Sequence, residues 1–280
     1  MRAMWKGSLS FGLVNIPVKL FAATENRDLK FRYLHARCNT PLEYQKVCPT
    51  CNEKVFWESI TRGYEYEKGH FVVLSEEEIK AAAGPKERLI EIEDFIALEE
   101  VDPIYFQKAY YLSPDGPGKK PYVLLREVLL NSGRVAIASV TLRTKETPAV
   151  VRVYRDLLTL STMYYADEIR STESVPDLPG EVEIRQKEFD VAQELVESLK
   201  TDFNPGKYQD TYRERLLEVI QARVEGKEVT VAPSQEQEKV VDLLEALQAS
   251  VERNKKQNQK KGKGKSKKAG TASTAKAERS

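Results

Sequence analysis

Residues 135–163, VAIASVTLRTKETPAVVRVYRDLLTLSTM, decide the fold. They hold three strand-like runs, residues 135–143, 149–154 and 157–163, rich in β-branched side chains and separated by short polar joints. Working back from them, residues 89–96 and 108–112 also read as strands. Between the second of these and residue 135, Leu124, Leu125, Val128 and Leu129 share one helical face, and Asn131-Ser132-Gly133 stops that helix. Earlier still, residues 8–21 alternate through Leu9, Phe11 and Leu13, then shift one step to Ile16, Val18 and Leu20. Gly12, Asn15 and Pro17 surround the shift, which predicts one strand broken by a bulge with Pro17 on an edge. Residues 64–74 predict a hairpin turning at Lys68-Gly69. Ser75 and Glu78 form a capping box for a short helix that Gly84-Pro85 ends. Many short strands with few helices between them predict a sheet closed as a barrel.

Forward of residue 163 the pattern changes. Residues 171–180, STESVPDLPG, read as a linker, and beyond it the apolar period lengthens from two to about 3.6. Ala192, Leu195, Val196 and Leu199 mark a helix over 188–199. Tyr212, Leu216, Val219 and Ile220 mark another over 208–224, and Val240, Leu243, Leu244, Leu247 and Val251 a third over 235–251. Such helices lack partner surface of their own and must pack on the barrel or on another subunit. The expected fold class is mixed and β-rich: a β-barrel core to residue 180 with an inserted loop region, a helical arm over 181–230 and a helix over 234–252.

The net charge of +1 conceals an asymmetry. Residues 253–280 hold 11 of the 44 Lys and Arg residues but one acid, so the body before them is acidic. This tail has no apolar period and reads as disordered. Its lysines (Lys255, Lys256, Lys260, Lys261, Lys263, Lys265, Lys267 and Lys268) are expected to meet phosphates without fixed geometry. No run of 18 apolar residues exists, which predicts a cytoplasmic protein without a membrane span.

The chemistry-bearing residues concentrate in residues 29–62, LKFRYLHARCNTPLEYQKVCPTCNEKVFWESITR. All three cysteines of the chain lie there, with one of its two histidines, in the spacing H-x2-C-x9-C-x2-C: His35, Cys38, Cys48 and Cys51. Two close pairs joined by a loop suit a tetrahedral zinc ion; the plainer alternative is three reduced cysteines and a surface histidine. Lys30, Arg32, Arg37, Lys46, Lys54 and Arg62 make the stretch basic, and Phe31, Tyr33, Tyr44, Phe56 and Trp57 lie between them. Charge with interleaved aromatic faces suits nucleic acid. Catalysis has little to work with. In GPGKK at residues 116–120, Ser113 and Lys120 stand where a phosphate loop needs glycine and Ser or Thr, and no nucleophile-elbow or HExxH pattern occurs. Scattered carboxylates leave a metal-dependent nuclease open, and the cysteine pairs leave open a zinc-ribbon regulator that reads bases.

Longer segments carry a resemblance. MRAMWKGSLSFGLVNIPVKLF at the start, then GYEYEKGHFVVLSEEEI, VLLREVLLNSGRVAIASVTLR, MYYADEIR, DFNPGKYQDTYRERLLEVI and VVDLLEALQASVE resemble the bacterial Ku proteins, in order from Met1 to about Val251. The resemblance implies a non-enzymatic homodimer whose barrels and insertions form a ring around the end of double-stranded DNA, close to the nucleoid. By it, residues 29–62 correspond to the bridge over DNA and helices 188–224 to an arm exchanged with the other subunit. The helix ending at Val251 corresponds to the segment that recruits ATP-dependent DNA ligase D, through Asp242, Leu243, Leu244, Leu247 and Ser250. No cofactor is required by the resemblance, zinc being the candidate that the Cys/His spacing adds.

Overall fold

The structure, a computed structural model, describes residues 1–82, 88–142, 145–226, 244 and 246–253. The chain divides into two units, residues 1–175 and 176–280.

In the first unit β1 (Trp5–Phe11) and β2 (Val14–Ala22) form a hairpin, and β3 (Arg62–Glu67) and β4 (His70–Leu74) form another. Helix α1 (Glu76–Ala82) and strands β5 (Leu89–Ala97) and β6 (Phe106–Pro114) follow. Then come α2 (Lys119–Ser132), β7 (Arg134–Leu142), β8 (Lys145–Tyr154) and β9 (Leu157–Met163). Seven strands close a barrel in the order β1-β2-β6-β9-β8-β7-β5, while β3 and β4 make a separate two-stranded sheet. Closure comes from a parallel pairing of β1 with β5, Ser8 to Leu89, Leu9 to Ile90 and Ser10 to Glu91. Every other barrel pairing is antiparallel.

Alternation along each strand fills the interior. Leu9, Ile16, Val18, Leu20, Ile90, Leu112, Val151, Leu158 and Leu160 are buried in one cluster. Helix α2 joins the end of β6 to the start of β7 and adds Tyr122, Leu125 and Leu129 to that cluster. The Tyr122 hydroxyl donates to the Leu112 carbonyl (2.7 Å) and accepts from the Leu158 amide (2.8 Å), joining two strands that are register partners at those residues. Gly133, at φ 65°, ends α2 in the left-handed conformation that its lack of a Cβ allows.

Two expectations change. The one-step shift in residues 8–21 is a chain reversal rather than a bulge: β1 and β2 pair from Phe11–Val14 to Trp5–Leu20 around Gly12 at φ 57° and Leu13. A tight turn and a bulge both displace the alternation by one residue. Pro17 then lies in an interior strand, yet costs no ladder bond. Its carbonyl accepts from the Asp115 amide (2.8 Å), on the side where pairing with β6 has already stopped at Val18 and Pro114. The GPG turn fits tightly here, since a Cβ on Gly118 would stand 2.6 Å from the Pro17 oxygen. The second change concerns the insertion. The barrel resumes at β5, so the excursion covers residues 23–88 and includes the β3–β4 hairpin and α1.

The capping box stands as expected: Glu78 N–H donates to the Ser75 hydroxyl (3.2 Å), and the Ser75 amide and hydroxyl donate to the Glu78 carboxylate. That carboxyl is held below its ordinary range by the Ser75 hydroxyl and amide.

In the second unit α3 (Gln186–Leu199) and α4 (Thr211–Val224) contain no buried residue. The α4 start falls later than its apolar period suggests because Asp210 caps it, accepting the Arg213 amide (2.9 Å). Residues 244 and 246–253 are helical; Leu244 and Leu247 are half-buried and Val251 is 5% exposed. Asp242, Leu243, the predicted start of that helix near Pro233 and the tail lysines from Lys255 onward lie outside the described residues.

Candidate nucleic-acid interface

The excursion from the barrel opens with two small hairpins of the same design. In the first, Leu34 bridges Pro41, the Leu42 amide donates to the Tyr33 carbonyl (3.0 Å), and the His35 amide to the Thr40 carbonyl (2.9 Å). In the second, Val47 bridges Lys54, the Val55 amide donates to the Lys46 carbonyl (2.8 Å), and the Cys48 amide to the Glu53 carbonyl (2.9 Å). Within the turns Asn39 donates to the His35 carbonyl and Asn52 to the Cys48 carbonyl, both at 2.8 Å. Asn39 at φ 54° and Asn52 at φ 56° each follow the second ligand-type residue, where asparagine tolerates the left-handed backbone. His35-x2-Cys38-Asn39 and Cys48-x2-Cys51-Asn52 are therefore one structural repeat. Its signal in the sequence is the asparagine after each pair.

Each turn brings its own pair together. His35 Nδ1 lies 3.1 Å from Cys38 Sγ, and Cys48 Sγ lies 3.5 Å from Cys51 Sγ. Among the described residues no three His, Cys, Asp or Glu side chains gather around one point, so the two pairs stand apart. In each pair hydrogen bonds lower one thiol. Hydrogen bonds from Thr40, side chain first and then backbone, lower the Cys38 thiol. Amides of Cys51 and Thr50 lower that of Cys48, whose sulfur then makes Cys51 harder to ionise.

Around these turns the surface is cationic. Lys30, Arg32, Arg37, Lys46, Lys54 and Arg62 are all exposed, and none forms an ion pair among the described residues. Lys46 Nζ lies 4.4 Å from the centroid of the Trp57 ring and Lys54 Nζ 5.6 Å from that of Phe56. The hairpin β3–β4 is exposed on every residue. Tyr64 and Val72 face each other across the strands, and the rings of Tyr66 and His70 lie 6.2 Å apart. Among the described residues this excursion has no buried side chain of its own, and its charged, aromatic surface is left open to a partner.

Residues 10–191 match the family model described as the Ku70/Ku80 beta-barrel domain. The chain belongs to the Ku family. A relative named non-homologous end joining protein Ku from Heliobacterium modesticaldum is 47% identical over 261 residues, covering 93% of this chain and 95% of that one. The protein of the same name from Bacillus subtilis is 44% identical, over 92% of this chain and 84% of that one. One from Mycobacterium tuberculosis is 39% identical, over 92% and 97% respectively. The Ku barrel is thus built from β1, β2 and β5–β9, and residues 23–88 leave it and return to it. Among the described residues no helix is long and apolar enough to cross a membrane.

Proposed function

We propose that this chain is a non-enzymatic homodimer that binds the ends of double-stranded DNA regardless of sequence, in non-homologous end joining close to the nucleoid. The observation that carries the reading is the bridge: a long excursion from a closed barrel whose six expected cations are all solvent-facing and unpaired, in a chain whose relatives are named for end joining. Lysine and arginine on the inner wall of a ring meet phosphates and release counterions whatever the bases are. End preference then comes from topology, because a closed loop threads onto DNA only over a free end. A mobility shift with linear and covalently closed circular DNA of one sequence tests this. Retention of the linear form alone is the expected result; equal binding would fit a base-reading regulator, and shortening of DNA with Mg²⁺ a nuclease.

Helices α3 and α4 are the arm that meets the second copy. Their exposed Phe189, Val196, Leu199, Tyr212 and Val224 support this, since an isolated chain would leave that apolar surface in water. ATP-dependent DNA ligase D is the partner of the C-terminal helix, with Leu243 and Leu247 in a groove of the ligase. Leu243→Glu with Leu247→Glu should abolish ligase stimulation and leave DNA binding intact. One zinc ion per chain, held by His35, Cys38, Cys48 and Cys51, is part of the same proposal. The repeated turn geometry supports it, and so does the lack of any fully buried side chain between residues 23 and 88 among those described, where a metal would stand in for a core.

A further inference from the structure

The two copies of the turn repeat differ in their chemistry. The first pairs an imidazole with a thiol, His35 with Cys38, and the second pairs two thiols, Cys48 with Cys51. A covalent bond within the turn is therefore open to the second copy alone. Its sulfurs lie 3.5 Å apart, in contact and unbonded, so a movement of about 1.5 Å brings them to bonding distance. Side-chain rotation supplies that movement, because the backbone of the turn is already tied. The Asn52 amide donates to the Cys48 carbonyl (2.8 Å) and the Cys48 amide to the Glu53 carbonyl (2.9 Å). Cys48 is half-buried and Cys51 exposed, so a small oxidant reaches both. Cys38 is exposed as well, but among the described residues the two pairs stand apart and no second sulfur joins it. A lone thiol oxidises onward to sulfinic acid, whereas a neighbouring thiol stops the ladder at a reversible disulfide.

We propose that Cys48 and Cys51 are a redox site that a hydroperoxide such as hydrogen peroxide closes to a disulfide, weakening the hold on DNA. One thiolate attacks the peroxide and keeps one oxygen as a sulfenic acid. The O–O bond breaks, and the other oxygen leaves as hydroxide and takes up the thiol's proton. The second sulfur then displaces the sulfenic hydroxyl, which leaves as water with the second thiol's proton as the S–S bond forms. Two thiols lose two electrons, and one peroxide becomes two waters. A disulfide keeps no thiolate to hold a cation, so two of the four candidate zinc donors are lost in the same step. The covalent step stands without the end-binding reading; its effect on DNA rests on that reading.

Reduced full-length chain is treated with hydrogen peroxide, quenched, alkylated with iodoacetamide and digested with trypsin for mass spectrometry. Of the three cysteines only Cys38 should take the alkyl group, and the peptide 47–54 should be lighter by two hydrogens. Dithiothreitol should restore all three thiols. Cys38→Ser should still form the disulfide. In a mobility shift, retention of linear DNA by the oxidised chain should fall to that of Cys48→Ser with Cys51→Ser, and this double variant should not respond further to peroxide. A disulfide to Cys38 or between chains, or sulfinic acid at Cys48 without any disulfide, would overturn the site. A disulfide that leaves DNA retention unchanged would overturn its effect on binding. Reduced chain that fails to retain linear DNA would remove the end-binding reading, while the mass of the 47–54 peptide would still decide the disulfide.

Discussion

Replacing Tyr122 by phenylalanine removes one oxygen from the barrel core. That oxygen serves two buried backbone groups, the Leu112 carbonyl at 2.7 Å and the Leu158 amide at 2.8 Å. Each buried polar group left unmatched costs about 1–3 kcal/mol. Leu112 and Leu158 are register partners, so the two strands recover part of the loss by closing toward each other. The expected net destabilisation is about 2 kcal/mol. In a unit of residues 1–175 this lowers the melting temperature by about 4–8 °C. Calorimetry measures the shift, and urea unfolding should show a lower midpoint with an unchanged slope. Tyr122→Ala should cost more, because the missing ring adds a cavity. A phenylalanine variant that melts within about 1 °C of the parent would refute the reasoning. It would mean that the hydroxyl only fills a space the strands close by themselves.

Five further outcomes follow from particular residues. Leu195→Asp with Leu216→Asp in α3 and α4 should give monomers that bind DNA poorly, which light scattering and mobility shift together read. Protein prepared without chelator should carry about one zinc per chain by metal analysis. Cys48→Ser with Cys51→Ser should loosen DNA retention while leaving the barrel melt in place. Truncation after Glu252 should weaken binding at low salt and flatten log K against log[salt] by about 0.9 for each phosphate the tail no longer neutralises, while the preference for linear DNA persists. Asp115 is held below the ordinary carboxylate range by the Lys19 ammonium 2.6 Å away. Its contribution is therefore present above the unfolded pKa and disappears as pH falls through the depressed folded value. Asp115→Asn should destabilise the barrel at neutral pH and converge with the parent below about pH 4; a gap that stays constant into acid would exclude this pair as its source.

The barrel was legible because its strands alternate and its turns are chemically marked. Residues 157–163 were bounded to the residue, and Gly133 and Ser75 marked helix ends that the structure keeps. The misreading at residues 8–21 has a physical cause: a two-residue reversal and a bulge leave the same trace in a linear pattern. Only Gly12, at positive φ, distinguishes them, and Pro17 obscured the distinction by looking like an edge residue. Pairing partners far apart in the chain, such as β1 with β5, leave no local trace at all. In the bridge, the spacing of His35, Cys38, Cys48 and Cys51 revealed two pairs, and the structure shows them as copies of one turn. The lysine over Trp57 was not legible, because it depends on which residues the second hairpin places opposite each other.

The pairing of Lys6 with Lys19 across the first hairpin bears on how the chain is made. During synthesis β1 and β2 emerge together, but β2 waits for β6, whose residues follow roughly 4–17 s later at about 5–20 residues per second. For that interval both strands are open edges, which neighbouring nascent chains could extend. Two like charges directly opposite each other weaken the young hairpin and repel a second copy of it. When β6 arrives it brings Asp115 to within 2.6 Å of Lys19 and cancels one of those charges. Correct closure thus removes the repulsion that had guarded the hairpin against premature partners.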